Sequence, residues 1–246
     1  MLIKTDSFTL ATYSKGNPNS EKFALVLPGK LDTKDYAHMK SHVAYLSNMG
    51  YFALSFDPPG TWESPGDISL YNMTNYLKAI NELIKYYGNK PTFIMGHSRG
   101  ASMAILAGLR NPYISSFASI FSSLMVEGYK DKSDTALWRK QGYLLEKRDL
   151  PQGGGPKVKE FKLPYSFFED QLKYNVTEDL RNSNKPKLFM LGKHDVLATP
   201  EVVRELYDIT SQPKELYELN SGHDYRLHPE LIEEVNKVVD DFLRKY

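Results

Sequence analysis

The 246-residue chain contains no cysteine. That absence excludes a disulfide framework, zinc–thiolate and iron–sulfur sites, and a thiol nucleophile. Any nucleophilic chemistry must come from oxygen or nitrogen. A surplus of one charge is missing too: 31 Lys and Arg face 30 Asp and Glu, a formal net charge of +1. A general nucleic-acid binder carries a basic excess to neutralise phosphates, so no nucleic-acid partner is expected. Long hydrophobic runs are also lacking. The longest, around Ala101–Leu109 and Phe117–Val126, are broken by Gly or Ser and fall short of the roughly 18–20 residues of a membrane span. The first residues, Met1 to Ser7, include an early acid and no apolar core, which does not read as a signal peptide. A cytoplasmic protein with no membrane partner is the expectation.

What is present is ordinary for a folded protein: 41% hydrophobic and 25% charged residues, at a length one α/β domain can fill. Short apolar runs closed by Gly, Pro or Ser read as buried strands. They are Phe23–Leu27, Tyr51–Phe56, Pro91–Met95, Phe117–Phe121, Lys187–Leu191 and Lys214–Leu219, with a further hairpin expected over Ser7–Ser14. Between them lie stretches with apolar spacing near 3.6: Lys34–Asn48, Ile68–Tyr87, Ser98–Leu109, Pro200–Tyr207 and Pro229–Arg244. Alternation of this kind predicts an α/β fold, with a mostly parallel sheet and helices on both faces. Ligands of such sheets bind beyond the carboxyl ends of the strands. The stretch from about Leu124 to Asn184 breaks the alternation, being charged and aromatic. It is read as an inserted lid within a single domain spanning 1–246, with a hairpin turning at Pro151–Pro156 and a short helix around Tyr165–Tyr174.

Three strand ends carry chemistry. Gly96-His97-Ser98-Arg99-Gly100 stands between an expected strand and helix, where a Gly-x-Ser-x-Gly turn lifts the Ser hydroxyl above the sheet. A Ser hydroxyl is a weak nucleophile until a base takes its proton, and that base needs a third group to hold its tautomer. His223 follows Leu216–Leu219 and Asp195 follows Leu188–Leu191. Adjacent parallel strands deliver those loops side by side, so Ser98, Asp195 and His223 are the candidate catalytic residues. His38 and His42 lie four apart on an expected helix and could share a metal. No third ligand stands near them in sequence, so they read as two exposed helix residues. No metal and no other cofactor is expected.

The order Ser98, Asp195, His223 resembles that of the α/β-hydrolase family, through the elbow Gly96–Gly100, the stretch Gly192–Pro200 and the pair Gly222-His223. The resemblance covers essentially the whole chain. It differs in order from chymotrypsin-like and subtilisin-like enzymes. It implies an α/β-hydrolase fold of about eight strands with a small inserted lid, and a serine carboxylesterase acting on a small-molecule ester. It also implies an oxyanion hole from two backbone N–H groups, Arg99 after the nucleophile and Lys30 after the strand Phe23–Leu27. There the sequence reads Pro28-Gly29-Lys30, where many members have His-Gly-x. The basic side chains of these two residues either attract an anionic substrate or point into solvent. Asp57-Pro58-Pro59-Gly60-Thr61-Trp62-Glu63-Ser64 resembles the family's loop after the next strand, with Pro59 in place of the usual Arg. The insertion resembles the lid of bacterial cinnamoyl and feruloyl esterases. From it and the preceding loop, Trp62, Trp138, Tyr165 and Phe168 are candidate substrate contacts. A Ser nucleophile argues against the family's dehalogenases and epoxide hydrolases, which use Asp. Thioesterase, peptidase and acyltransferase activities remain open, as does a non-catalytic binding protein. The oligomeric state stays open, a homodimer being one option.

Overall fold

The computed structural model describes residues 1–122, 124, 135–151 and 157–246. In chain order its strands are β1 (Leu2–Lys4), β2 (Thr9–Lys15), β3 (Phe23–Leu27), β4 (Phe52–Phe56), β5 (Thr92–His97), β6 (Ile114–Ile120), β7 (Tyr143–Asp149), β8 (Val158–Pro164), β9 (Lys187–Gly192) and β10 (Lys214–Leu219). The helices are α1 (Ala37–Asn48), α2 (Met73–Tyr86), α3 (Arg99–Arg110), α4 (Thr135–Gln141), α5 (Tyr165–Gln171), α6 (Thr177–Asn182), α7 (Pro200–Ile209) and α8 (Pro229–Lys245). Eight strands form one sheet in the order β1-β2-β4-β3-β5-β6-β9-β10. From β4 to β10 every pairing is parallel; β2 runs antiparallel to both β1 and β4. The fold class read from the sequence is thus the one observed.

Alternate residues of the central strands feed two cores, as a strand's period of two requires. Ala24, Val26, Phe93 and Met95 pack with Met39, Val43 and Leu46 of α1 and Val235, Val239 and Phe242 of α8. Leu25, Leu27, Ile94 and Phe117 face the other way, onto α2, α3 and α7. Each fully buried Leu or Phe contributes roughly 1.5–3 kcal/mol over its exposed state. With both faces covered, the exposed part of the parallel sheet is its end, where the strand-to-helix loops gather.

Several sequence expectations shift in detail. The hairpin is not confined to 7–14: β2 pairs with β1, through a turn closed by Thr5 N–H donating to Phe8 O (2.8 Å), and its far half pairs with β4. The stretch Ile68–Tyr87 is not one helix. A short 3₁₀ turn, Ile68–Leu70, ends before Asn72, whose side chain accepts from Asn75 N–H and caps α2. The helix expected from Lys34 starts at Ala37, because Thr33 and Lys34 are spent on Asp57: it accepts from Thr33 Oγ1 (2.8 Å), Lys34 N (2.9 Å) and Lys34 Nζ (3.2 Å). The stretch between β6 and β9 carries α4, the antiparallel hairpin β7–β8, α5 and α6. Of the turn expected at Pro151–Pro156, residues 152–156 lie outside the described residues, as do 125–134 of the expected lid and residue 123 just before it. No described helix is long and apolar enough to cross a membrane.

Candidate active site

β5 ends at His97, and the chain turns into α3 through Ser98 at φ 54°, ψ −116°. That is a left-handed conformation which L side chains rarely adopt, and it is held from several directions. Ser98 N–H donates to Ile120 O at 2.8 Å, and Ser98 O accepts from Ser102 N–H at 3.1 Å. The flanking glycines allow the close approach. A Cβ on Gly96 would lie 2.3 Å from the Gly100 carbonyl, and one on Gly100 would lie 2.1 Å from Leu27 O. The turn therefore sets α3 directly against the end of β3.

The two other strand ends converge on this hydroxyl. His223, on the loop after β10, places Nε2 2.9 Å from Ser98 Oγ. Its Nδ1 lies 2.7 Å from Oδ2 of Asp195, on the loop after β9. Asp195 is buried, and its Oδ1 accepts the N–H groups of Leu197 (2.8 Å) and Ala198 (3.0 Å). Burial by itself raises the Asp195 carboxyl. The His223 hydrogen bond and charge, with the Leu197 and Ala198 amides, outweigh it and hold the group below its ordinary value. An ionised Asp195 favours the imidazole tautomer with the proton on Nδ1, which leaves Nε2 free to accept from a hydroxyl.

Opposite Ser98 runs the loop after β3. Pro28 O accepts from Tyr76 Oη (3.1 Å), Gly29 O from Asp32 N–H (3.2 Å), Lys30 O from Arg148 Nη2, and Leu31 O from Trp62 Nε1 (2.8 Å). Leu31 N–H donates to Tyr71 Oη at 3.1 Å, with Leu31 itself at φ 57°. The Lys30 N–H, by contrast, has no acceptor among the described residues. Arg99 is the first residue of α3, directly after Ser98, so its N–H stands in the helix's first turn beside the Ser98 hydroxyl. Lys30, Ser98, Arg99, Arg148, Leu197, His223 and Asp224 line one cavity of about 230 Å³.

This geometry and the sheet order allow comparison with known proteins. No family model matches the chain. Ferulic-acid-bound Est1E from Butyrivibrio proteoclasticus superposes with a TM-score of 0.76 at 19% identity, covering 100% of this chain and 98% of that one. The α/β hydrolase GrgF from Penicillium sp. sh18 reaches a TM-score of 0.80 at 16% identity, covering 100% and 97%. The fold is the α/β-hydrolase fold. Lysophosphatidylserine lipase ABHD12 of Danio rerio is 25% identical over 224 residues, 88% of this chain. The chain spans about half, 53%, of that relative's length.

Within this hydrolase fold the structure brings Ser98, Asp195, His223, Lys30 and Arg99 together. The four aromatic residues expected to touch substrate are absent from the described lining of the cavity. Trp62 is held by its bond to Leu31 O and packs edge-on against Tyr36 and Phe161. Trp138 donates to Leu163 O (3.0 Å) and packs against Tyr165 and Phe168. Trp138, Tyr165 and Phe168 pack on one another within the stretch between β6 and β9, while Trp62 packs between Tyr36 and Phe161 of that stretch. The basic residues Lys30 and Arg99 line the cavity, and their side chains also join the stretch between β6 and β9 to the end of the sheet. Lys30 Nζ is 2.6 Å from Glu146 Oε1, while Arg99 Nη2 donates to Gln171 Oε1 at 2.7 Å and its guanidinium sits 5.1 Å from the Phe167 ring centre.

His38 and His42 are not exposed; both are fully buried. His42 is engaged by Asn236 Oδ1 (2.6 Å) and Tyr225 Oη (2.8 Å), so both its nitrogens are spent. His38 instead converges with Asp32 and His97, their donor atoms lying within 4.8 Å of one another. Among the described residues this is the one group that could hold a metal, but Arg148 Nη1, 3.7 Å from Asp32 Oδ1, already places a cation there. Arg148 and Asp224 were missed from the sequence. Asp224 is adjacent to His223 and could have been found; Arg148 sits in a charged run, Glu146-Lys147-Arg148-Asp149, with nothing to distinguish it.

Proposed function

We propose that the protein is a serine hydrolase that cleaves carboxylic esters of small acyl or aryl-acyl groups through an acyl-enzyme. The observation that carries this reading is the unbroken chain of contacts from Ser98 Oγ to His223 Nε2 (2.9 Å) and from His223 Nδ1 to Asp195 Oδ2 (2.7 Å). Ser98 Oγ attacks the acyl carbon while its proton passes to His223 Nε2. Asp195 holds the imidazole in the required tautomer and stabilises the imidazolium. The tetrahedral oxyanion is received by the Lys30 and Arg99 N–H groups. On collapse the bond from the acyl carbon to the alcohol oxygen breaks, and His223 returns the proton to the leaving alcohol. Water, deprotonated by His223, then releases the acid by the same route.

A described cavity of about 230 Å³, below the roughly 300–1,000 Å³ of drug-sized sites, favours small acyl groups. The likeness to Est1E, seen with ferulic acid, and to a lysophosphatidylserine lipase is consistent with an ester substrate. A panel of p-nitrophenyl esters, cinnamoyl and feruloyl methyl esters, acyl-thioesters and aminoacyl-nitroanilides tests the reading. Turnover of short-chain or aryl esters that disappears in Ser98→Ala is expected; turnover of nitroanilides alone would overturn it.

A further inference from the structure

His97, the residue before the nucleophile, takes no part in the proton transfers just described. It is nevertheless almost wholly buried, at 2% exposure, and its ring is directed at the loop that carries His223. Its Nε2 lies 3.0 Å from the main-chain oxygen of His223. A carbonyl oxygen only accepts, so Nε2 holds the proton in this bond. Among the described residues no other hydrogen bond reaches the His223 main chain. The two imidazole rings are 5.0 Å apart, and the rings of Tyr225 (5.1 Å) and His38 (5.6 Å) fix His97 on its remaining sides. Burial pushes the His97 imidazole down, and Asp32 pulls the other way without restoring it. A neutral ring with its proton on Nε2 leaves Nδ1 bare. That nitrogen faces Asp32 Oδ2 at 3.9 Å, beyond hydrogen-bond reach.

We propose that His97 is a positioning residue for the general base, its Nε2–H bond to the His223 carbonyl setting the distance from His223 to Ser98. The inference rests on the Ser98–His223–Asp195 reading. Its physical basis is that one strand end carries both the nucleophile and the tether of its base, so β5 fixes both partners of the first proton transfer. The bonds of the neighbouring residues stop short of the His223 main chain: Ser221 O accepts His194 N–H (3.0 Å) and Asp224 O accepts Leu227 N–H (3.2 Å), on either side of it. Without the tether the imidazole keeps its bond to Asp195 (2.7 Å), but its main chain loses the one hydrogen bond among the described residues that ties it to β5. A displacement of about 1 Å in a reacting group costs up to 10²-fold in rate.

The test compares His97→Met, which fills the space without a donor, with His97→Gln, which keeps an N–H near the Nε2 position. Both are assayed on a p-nitrophenyl ester and by the rate of fluorophosphonate labelling. The expected result is a kcat lowered roughly 10- to 100-fold in His97→Met with KM little changed, and recovery of most of the rate in His97→Gln. The far-downfield proton resonance of a His223 Nδ1–H bond to Asp195 should weaken in the Met variant and persist in the Gln variant. A Met variant with wild-type kcat, or a Gln variant as impaired as the Met one, would overturn the inference. Should His97→Met fail to fold, ¹⁵N-histidine spectra of the wild type decide: the Nε2–H tautomer supports it, and an Nδ1–H tautomer refutes it. Failure of the underlying reading is distinguishable, because the wild type itself would then resist the fluorophosphonate.

Discussion

Replacing Gly100 by Ala adds one methyl group at the tightest point of the elbow. The added Cβ would stand 2.1 Å from Leu27 O, 2.7 Å from Leu27 C and 2.7 Å from Pro28 O. All three are main-chain atoms, so no side chain can swing away. Relief to an ordinary contact needs a relative shift of about 1 Å between the start of α3 and the end of β3, a change as large as those that cost up to 10²-fold in rate. Those two segments carry the Arg99 and Lys30 amides and Ser98 itself. Overpacking of this kind costs about 1–3 kcal/mol, or several degrees of Tm at this chain length. The control is Gly222→Ala beside His223, where the nearest atom to the new Cβ is His194 O at an ordinary 3.7 Å. Thermal unfolding followed by circular dichroism, with kcat/KM on p-nitrophenyl acetate, measures both effects. Gly100→Ala should lose several degrees and about two orders of magnitude in kcat/KM, with Gly222→Ala close to wild type on both. A Gly100→Ala variant with wild-type Tm and rate would refute the reasoning about the elbow.

Other substitutions probe separate parts of the account. Asp195→Asn should lower kcat by roughly 10³–10⁴-fold by favouring the wrong His223 tautomer, as measured on the same ester. Because Asp195 is held below its ordinary value of 3.8 in the fold, it stabilises the native state above that value, and the contribution is lost as pH falls through the lowered native one. Chemical unfolding from pH 6 downward should therefore show a shallower acid-side loss in Asp195→Asn than in the wild type. Lys187 is fully buried, donates to Ser183 O and Ser211 O at 2.9 Å, and is pushed down to about 8 by desolvation and then by Lys214. Its native value lies below the unfolded 10.5, so wild-type stability should rise from pH 8 to 10 relative to Lys187→Met, read by urea titration. Asp170, on α5, accepts Thr74 N–H (2.9 Å) and Thr74 Oγ1–H (2.6 Å) at the start of α2. Asp170→Ala should cost about 1–2 kcal/mol, the worth of a lost helix cap, in the same titration.

How far the sequence could be read depended on what each residue type normally does. The sheet was legible because its central strands are buried on both faces, and runs such as Phe23–Leu27 are apolar from end to end. The candidate site followed from it, since Ser98, Asp195 and His223 each lie just beyond such a run. The buried polar layer was not legible. In α1 the inward face carries His38 and His42 among Met39, Val43 and Leu46, and a histidine in a helical pattern reads as exposed. The partners of His42 lie 183 and 194 residues away in the chain. Lys187 was hidden in the same way, at the start of an otherwise apolar strand. In the insertion, α4 and α6 are 7 and 6 residues long, too short for a helical period to emerge. Its aromatic content was visible, but the sequence holds no sign of whether Trp138 meets a substrate or the neighbouring Tyr165 and Phe168.

The central claim is that Ser98 is a nucleophile activated by His223. It is tested most directly by incubating the protein with a fluorophosphonate and locating the adduct by peptide mass spectrometry. The account predicts a single stoichiometric adduct on Ser98, absent from Ser98→Ala and formed far more slowly in His223→Ala. An unlabelled wild type, or an adduct on any residue other than Ser98, would contradict it.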